Sequence, residues 1–200
     1  MKQYALFLCL VLCGVFHSNA QSEWKIIKDN EDIKVYVRTN DTTSYKEYRA
    51  TTIVQAHIEE VYFFLMNADN LHKWHYQTAE SRLLKKINPH EQLVYMKNDM
   101  PWPLQDRDVV TRMKVSRPTL DIIRIDLLPE LDYLPSNHKI VRIKNFKGHW
   151  YLEKSEKGTI VIQEMQGDPG GNIPPFLFNI FLTNGPFSTF LEMKKMLSRI

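Results

Sequence analysis

The sequence has 200 residues, of which 44% are hydrophobic, and its formal net charge is only +3. Its 26 Lys and Arg residues are interspersed with 23 Asp and Glu residues, which excludes the concentrated basic surface that nucleic-acid-binding proteins use. Both cysteines, Cys9 and Cys13, lie close to the N terminus. Disulfides, thiolate metal sites and cysteine nucleophiles are therefore excluded from the remaining chain, whose fold must rely on its hydrophobic core.

The first twenty residues have the pattern of a secretory signal. A lone Lys2 precedes an apolar run over residues 4–16, and small or polar residues follow it. The run is too short to span a bilayer as an anchor. We therefore predict a cleaved signal peptide over residues 1–20 and a secreted or periplasmic protein. Lipidation of Cys13 is the less favoured alternative, because Leu12 stands where lipoprotein signals usually have a small residue.

The mature region, residues 21–200, is long enough for one domain and begins with strand patterns. Residues 33–38, IKVYVR, alternate between apolar and polar side chains, and SYKEYRATTIVQ after them is rich in β-branched and aromatic residues. The segment HIEEVYFFLMNAD, residues 57–69, changes to a helical period. Further strand-like runs joined by short turns continue to residue 166. We predict about eight strands in an antiparallel meander.

The segment 173–200 predicts a long final helix. Prolines stand at its start, and residues 176–182 are apolar on nearly every side. Beyond Pro186 a single apolar stripe remains, formed by Phe190, Met193, Leu197 and Ile200. We therefore predict a helix that is buried along its first half, amphipathic along its second half and kinked at Pro186.

A curved antiparallel sheet that covers such a helix predicts an α+β helix-grip fold, with the helix across the concave face. The sheet cannot close fully around a helix of that bulk. The arrangement therefore leaves an internal cavity, which is either filled by side chains or used for a ligand.

Five segments follow one another along the mature region in a specific order: WKIIKDNEDIKVYVR, HIEEVYFFLMNADNLHKW, RDVV, GHWYLE and GDPGGNIPPFLFN. Together they resemble the START family, the steroidogenic-acute-regulatory-related lipid-transfer domains of the helix-grip superfamily. The resemblance implies a pocket between the sheet and the C-terminal helix that holds one lipid, sterol or similar apolar molecule. It also implies that the helix and neighbouring loops control access to this pocket.

The loop NDMPWPLQDRD, residues 98–108, places Trp102 between two prolines. Pro101 and Pro103 fix their own φ and lack backbone donors, so neither a helix interior nor a central strand runs through this segment. The resemblance places the loop at the pocket entrance, where Trp102 would cap the ligand or contact a membrane surface. The alternative is that Trp102 is buried as a plug in the core.

In the strand after this loop, alternation places Arg107 on the same face as the residues two, four and six positions later. A guanidinium offers a rigid fork of donors, so Arg107 is a candidate cation for a lipid headgroup or a carboxylate. The alternative is a structural ion pair that ties the loop to a neighbouring strand. The predicted ligand-binding residues are Tyr95, Trp102, Arg107, Val109, Thr111, Met113, Trp150, Phe178 and Phe181.

The sequence departs from the sterol-binding members that it resembles. Those members tend to keep an acid in the pocket and an arginine six residues after the Arg of the RD pair. Here the arginine position is Met113, and the position that matches the acid is Val94. The pocket is therefore expected to be more apolar, or to be anchored elsewhere, and the resemblance names no ligand.

Gly170 and Gly171 precede the prolines of the final helix. They predict a flexible joint at which the helix opens as a lid. The alternative is a simple turn between a strand and a helix.

Sequence motifs for metal or covalent catalysis are missing. There is no GxSxG, HExxH or glycine-rich phosphate loop. Asp69, His72 and His75 lie close together, but no HxxE and no second histidine pair follow, so we predict no metal and no cofactor.

We predict a binding protein rather than an enzyme. Its expected partner is a hydrophobic small molecule or lipid, with transient membrane contact and no nucleic acid, and we expect a monomer. A cyclase-like or aromatase-like enzyme that uses the same pocket is the alternative, with Tyr95, Arg107 or Thr111 as acid or base.

Overall fold

The computed structural model describes residues 22–40, 43–171 and 173–198. The predicted signal peptide and both cysteines lie outside these residues. The described part contains ten strands: β1 (Lys25–Asn30), β2 (Ile33–Asn40), β3 (Thr43–Val54), β4 (Thr78–Asn88), β5 (Glu91–Asn98), β6 (Arg107–Thr119), β7 (Ile122–Pro129), β8 (Val141–Arg142), β9 (Asn145–Ser155) and β10 (Gly158–Asp168). Its helices are α1 (Ile58–Met66), a 3₁₀ helix (Ala68–Lys73) and α2 (Pro175–Leu197).

The strands form one open sheet in the order β1-β2-β3-β10-β9-β7-β6-β5-β4. Neighbours in this order are antiparallel, and the two-residue β8 pairs in parallel with the start of β6. The strands from β4 to β7 form the predicted meander, while β10 pairs with both β9 and β3 and so joins the two ends of the chain. The sheet and its C-terminal helix confirm the α+β helix-grip fold.

The sequence predicted two strands before the first helix, whereas the structure has three. The additional strand is β1, with the sequence KIIKDN, and most of its side chains are exposed at the edge of the sheet. Alternation reveals a strand only when one of its faces is buried, so this edge strand carried no such pattern.

Helix α1 begins at a capping box. His57 accepts a hydrogen bond from the backbone N–H of Glu59, and the Glu60 carboxylate accepts one from the backbone N–H of His57 at 2.7 Å. The predicted apolar stripe is buried, with Ile58 and Leu65 facing the core. The 3₁₀ helix then leads to the buried Trp74, which lies beside the middle of the sheet.

Helix α2 runs through Pro186 and packs against β1, β2 and β3. Its second half is amphipathic as predicted. Its first half is not buried on all sides, because Phe176 is 70% exposed and Ile180 is 52% exposed. The expectation of a buried first half was therefore wrong: the sheet covers one side of this segment, and apolar side chains remain on the other side.

Aromatic rings pack against one another under the second half of α2. Phe190 is fully buried and stacks on Trp150 with 5.6 Å between ring centroids, and Trp150 meets Trp74 edge to face.

No helix in the described part of the chain is long and apolar enough to cross a membrane.

Candidate functional site

A cavity of about 310 Å³ lies between the sheet and α2. Its wall is mainly apolar and is formed by β3, β5, β6, β9, β10, the 3₁₀ helix with the residues after it, and the cavity-facing side of α2. This volume is at the lower end of the 300–1,000 Å³ that small-molecule sites usually have. The cavity is large enough for an organic ligand, and its wall favours an apolar one.

Seven of the nine predicted ligand-binding residues line this cavity. Strand β6 contributes four of them because its side chains alternate, and the cavity face carries every second residue from Arg107. Of the other three, one comes from β9 and two come from the side of α2 that faces the sheet. The seven residues are Arg107, Val109, Thr111, Met113, Trp150, Phe178 and Phe181. Their contact with a ligand stays a prediction.

Tyr95 and Trp102 are not part of the cavity wall. On β5, Val94 and Met96 face the cavity, so the ring of Tyr95 lies on the other face of the sheet, where the Arg82 guanidinium covers it at 4.3 Å. Trp102 is 93% exposed, which rules out the plug in the core. Met100 in the same loop does line the cavity, so the loop begins at the cavity wall and carries Trp102 outward.

Tyr48, His75 and Gln163 are polar residues of the cavity wall that were not among the predicted ligand-binding residues. The hydroxyl of Tyr48 donates to Gln163 Oε1 at 2.9 Å, and burial raises the pKa of Tyr48. His75 lies 2.9 Å from Thr78 Oγ1 through its Nδ1, and burial lowers its pKa to about 4. Alternation along β10 could have located Gln163, because Val161 and Met165 share its face. Tyr48 and His75 reach the cavity through tertiary contacts that no local pattern reveals.

Arg107 is only 4% exposed and lines the cavity. One end of its guanidinium donates to the carbonyl of Gln105, and the other donates to the carbonyl of Gly170 at 3.4 Å. Its Nε–H has no partner in the described part of the chain. Burial lowers the pKa of Arg107, while the charge of the nearby Asp106 acts in the opposite direction.

The structural ion pair considered for Arg107 is formed by its neighbours instead. Asp108 binds Arg142 through two hydrogen bonds of 2.7 and 2.8 Å, and both side chains are buried. Asp106 pairs with Lys97 at 3.0 Å and accepts from the backbone N–H of Met100. These pairs hold the loop against β5 and the β8 segment, and they leave Arg107 without a carboxylate partner among the described residues.

The two positions that departed from the sterol-binding pattern face the same space. Val94 and Met113 both line the cavity and are both buried. No charge therefore replaces the missing acid and arginine at these two positions. The lining cations, Lys46 and Arg107, come from β3 and from the first residue of β6.

Gly170 and Gly171 have φ values of +71° and +66°, which lie in the left-handed region that favours glycine. The Asp168 carboxylate accepts from the backbone N–H of Gly170 at 2.8 Å and fixes the start of this turn. These positive φ values explain why both positions are glycine. Bending of the chain at this turn remains a prediction.

The described residues include no group of three or more His, Cys, Asp or Glu side chains that could hold a metal ion. The cavity wall likewise offers isolated polar groups rather than a cluster of metal ligands.

The sequence matches the START domain over residues 18–199. The chain belongs to the START domain family. The resemblance seen in the five sequence segments is thereby confirmed, and the match covers every element of the fold described above.

Relatives and a solved structure agree with this family. The Pseudomonas aeruginosa protein PA1579 is 30% identical over 183 residues, which are 91% of this chain and 90% of that protein. Phosphatidylcholine transfer protein of Rattus norvegicus is 26% identical over 185 residues, which are 87% of this chain and 83% of that protein. The crystal structure of a STAR-related lipid transfer protein fragment from Xanthomonas axonopodis superimposes with a TM-score of 0.82 at 34% identity, covering 88% of this chain and 98% of the fragment.

Likeness to enzymes is more distant. The aromatase/cyclase di-domain protein StfQ superimposes with a TM-score of 0.52 at 13% identity, over 76% of this chain and 50% of StfQ. At that identity the likeness concerns the fold alone. START membership supports binding of a hydrophobic ligand, and it gives no comparable support to an enzyme.

Proposed function

We propose that this START domain binds one lipid or similar hydrophobic molecule in the cavity under α2 and transfers it between membranes or partners. The observation that carries the proposal is the mainly apolar cavity of about 310 Å³ between the sheet and α2. Burial of apolar surface drives such binding, with about 25 cal/mol for each Å² removed from water. Membership of the START family and the names of the lipid transfer relatives support the same function.

Transfer requires contact with a membrane, and we propose three exposed apolar side chains near the cavity-lining elements as the contact. Phe176 and Ile180 are four residues apart and share one face of α2, and Trp102 extends from the β5–β6 loop. Aromatic and aliphatic side chains of this kind partition into the boundary between water and acyl chains. We propose that Trp102, Phe176 and Ile180, the exposed apolar triad, contact the bilayer transiently during ligand uptake.

The cyclase-like alternative finds little support in the electrostatics of the cavity. An acid or base works best when its pKa lies near the working pH. Burial moves the pKa of Tyr48 upward and that of His75 down to about 4, so both groups are neutral at pH 7 and stay so over a wide range. We propose that the protein acts by sequestration and release, without covalent chemistry.

We also propose that the protein acts outside the cytoplasm, as an exported monomer. The apolar run at residues 4–16 and the polar residues after it support export. Sequencing the N terminus of the protein recovered from its native host would test this. A mature chain beginning near Gln21 is expected, whereas retention of Met1 would contradict export by cleavage.

Native mass spectrometry of the protein purified from its native host tests the binding function. We expect one hydrophobic molecule per chain. Val109→Trp places a large ring in the cavity and should abolish the adduct, whereas Leu128→Trp, at an exposed position of β7, should retain it. Equal loading of the two variants, or wild-type protein that binds no hydrophobic molecule even when vesicles are supplied, would contradict the proposal.

A further inference from the structure

The inference below rests on the proposed function and concerns the chemistry of the ligand. Arg107 presents a positive charge that is 96% shielded from bulk solvent and has no carboxylate partner among the described residues. Buried charges are normally paired, because an uncompensated one costs several times more than a neutral polar group. Arg142, the other buried arginine among the described residues, has such a partner in Asp108.

Among the described residues, no carboxylate forms an ion pair with Arg107. Its two hydrogen bonds go to neutral carbonyl groups, those of Gln105 and Gly170. Asp106, which precedes Arg107, is bound to Lys97, and Asp108, which follows it, is bound to Arg142. Asp168, the carboxylate on the cavity wall, accepts from the backbone of Gly170 and forms no ion pair with Arg107.

The free donor of Arg107 belongs to a residue of the cavity wall. Among the described residues, neither its Nε–H nor the indole N–H of Trp74, another residue of the wall, has a hydrogen-bond partner, and both are buried. Two cavity residues thus offer donors that lack acceptors. Lys46 adds a second positive charge to the same wall. A ligand that satisfies either donor must bring an acceptor atom, and an anionic group beside Arg107 would also balance its charge.

We propose that Arg107 binds the anionic group of the ligand, a carboxylate or a phosphate, while the apolar part of the ligand lies along Val109, Met113 and Trp150. Arginine suits both groups, because its planar fork donates two parallel hydrogen bonds to two oxygens of one anion. The natural ligand is then an acidic or phosphate-bearing amphiphile rather than a neutral sterol or hydrocarbon. Positions 94 and 113 carry no charge here, so Lys46 and Arg107 are the cations that the described cavity wall offers to such a group.

Matched pairs of probes separate the anionic group from the apolar chain. Oleate and oleyl alcohol share one chain and differ in the carboxylate, and 1-oleoyl lysophosphatidic acid and 1-oleoylglycerol differ in the phosphate. Binding to delipidated protein is followed by the fluorescence of Trp74 and Trp150, which line the cavity. Wild-type protein should prefer at least one anion over its neutral partner by about tenfold or more, as expected for a charge-assisted hydrogen bond. The preferred pair identifies carboxylate or phosphate.

Arg107→Gln should remove this preference by weakening the anion about tenfold while changing the neutral probe by less than about twofold. Arg107→Lys keeps the charge without the fork and should retain part of the preference. Equal weakening of both members of a pair would mean that Arg107 only holds the loop at Gly170, and it would overturn the inference. Wild-type protein that binds both members equally would also overturn it, while leaving the proposed function intact.

A measurement on the wild-type protein covers the case in which the variants fail to fold. The ¹³C-labelled carboxyl of bound oleate is titrated by NMR. Pairing with Arg107 should lower the pKa of this carboxyl below its value in water, because a nearby positive charge favours the ionised form. A raised pKa would show a carboxyl in an apolar surround and would overturn the carboxylate form of the proposal. If no probe binds at all, the proposed function itself fails.

Discussion

The two halves of α2 share one helix but differ in what they contact. The second half buries Phe187, Phe190 and Met193 against the sheet, and Phe190 stacks on Trp150. The first half places Phe178 and Phe181 over the cavity and leaves other apolar side chains exposed on its outer side. One half therefore has its partners within the protein, and the other half has apolar surface on two sides without a full set of partners.

This difference separates stability from function along a single helix. The second half buries its apolar side chains in the core, and the first half covers the space in which a ligand would lie. Regions with few buried apolar contacts open at lower free energy than the core does. Ligand entry is therefore expected at the first half and at the turn before it, while the second half stays in place.

The largest effect should come from truncating the packed half. Phe190→Ala removes a fully buried ring, and such changes typically cost about 3–5 kcal/mol of the free energy of unfolding. Phe176→Ala, on the exposed side of the first half, is the matched control and should change this free energy by less than about 0.5 kcal/mol. Urea unfolding of both variants measures the contrast. Similar losses for the two would show that the halves do not differ in packing.

An intermediate effect should appear on the cavity side as the pH falls. His75 has a folded-state pKa of about 4, below its ordinary value of 6.5. Between these two pH values the unfolded chain binds a proton at His75 and the folded protein does not. The contribution of neutral His75 to the free energy of unfolding is therefore fully present above pH 6.5 and is lost progressively as the pH falls from 6.5 to 4. His75→Gln should lose about 1–2 kcal/mol less than wild type between pH 7 and pH 5. If the free energies of unfolding of the two proteins fall in parallel with pH, His75 does not cause the loss of stability.

The smallest effect on stability should come from the loop. Trp102→Ala should change the free energy of unfolding by less than about 0.5 kcal/mol, because the ring is almost fully exposed. Lipid transfer from vesicles should nevertheless slow several-fold, because the interfacial ring is lost. A variant that melts like wild type and transfers lipid at the wild-type rate would exclude Trp102 from the membrane contact and restrict that surface to Phe176 and Ile180.

Alternation predicted the cavity face of β6 because Arg107, Val109 and Thr111 follow a loop whose prolines fix where the strand begins. It could not do the same for β5. Gln92, Leu93, Val94 and Tyr95 are all buried there, so the strand is covered on both faces and the pattern does not indicate which face meets the cavity.

Helical periodicity had a similar limit. It located α2 and the buried stripe through Phe190 and Met193, because that stripe contrasts with Lys194 and Lys195. In the first half, residues 176–182 include one polar side chain, that of Asn179, and so apolar a segment is predicted to be buried whether its outer side meets protein, ligand or solvent. The exposure of Phe176 and Ile180 depends on where the sheet ends, which only the tertiary structure shows.

Hydrogen exchange of the delipidated protein, with and without saturating oleate, tests the central claim most directly. An occupant under the first half of α2 should slow amide exchange at residues 176–186 and in the cavity-lining part of β6. Residues 187–197 should exchange equally slowly in both states, because their packing needs no ligand. Slowing that is confined to residues 187–197, or unchanged exchange at residues 176–186 when oleate is bound, would contradict a ligand beneath the first half of α2.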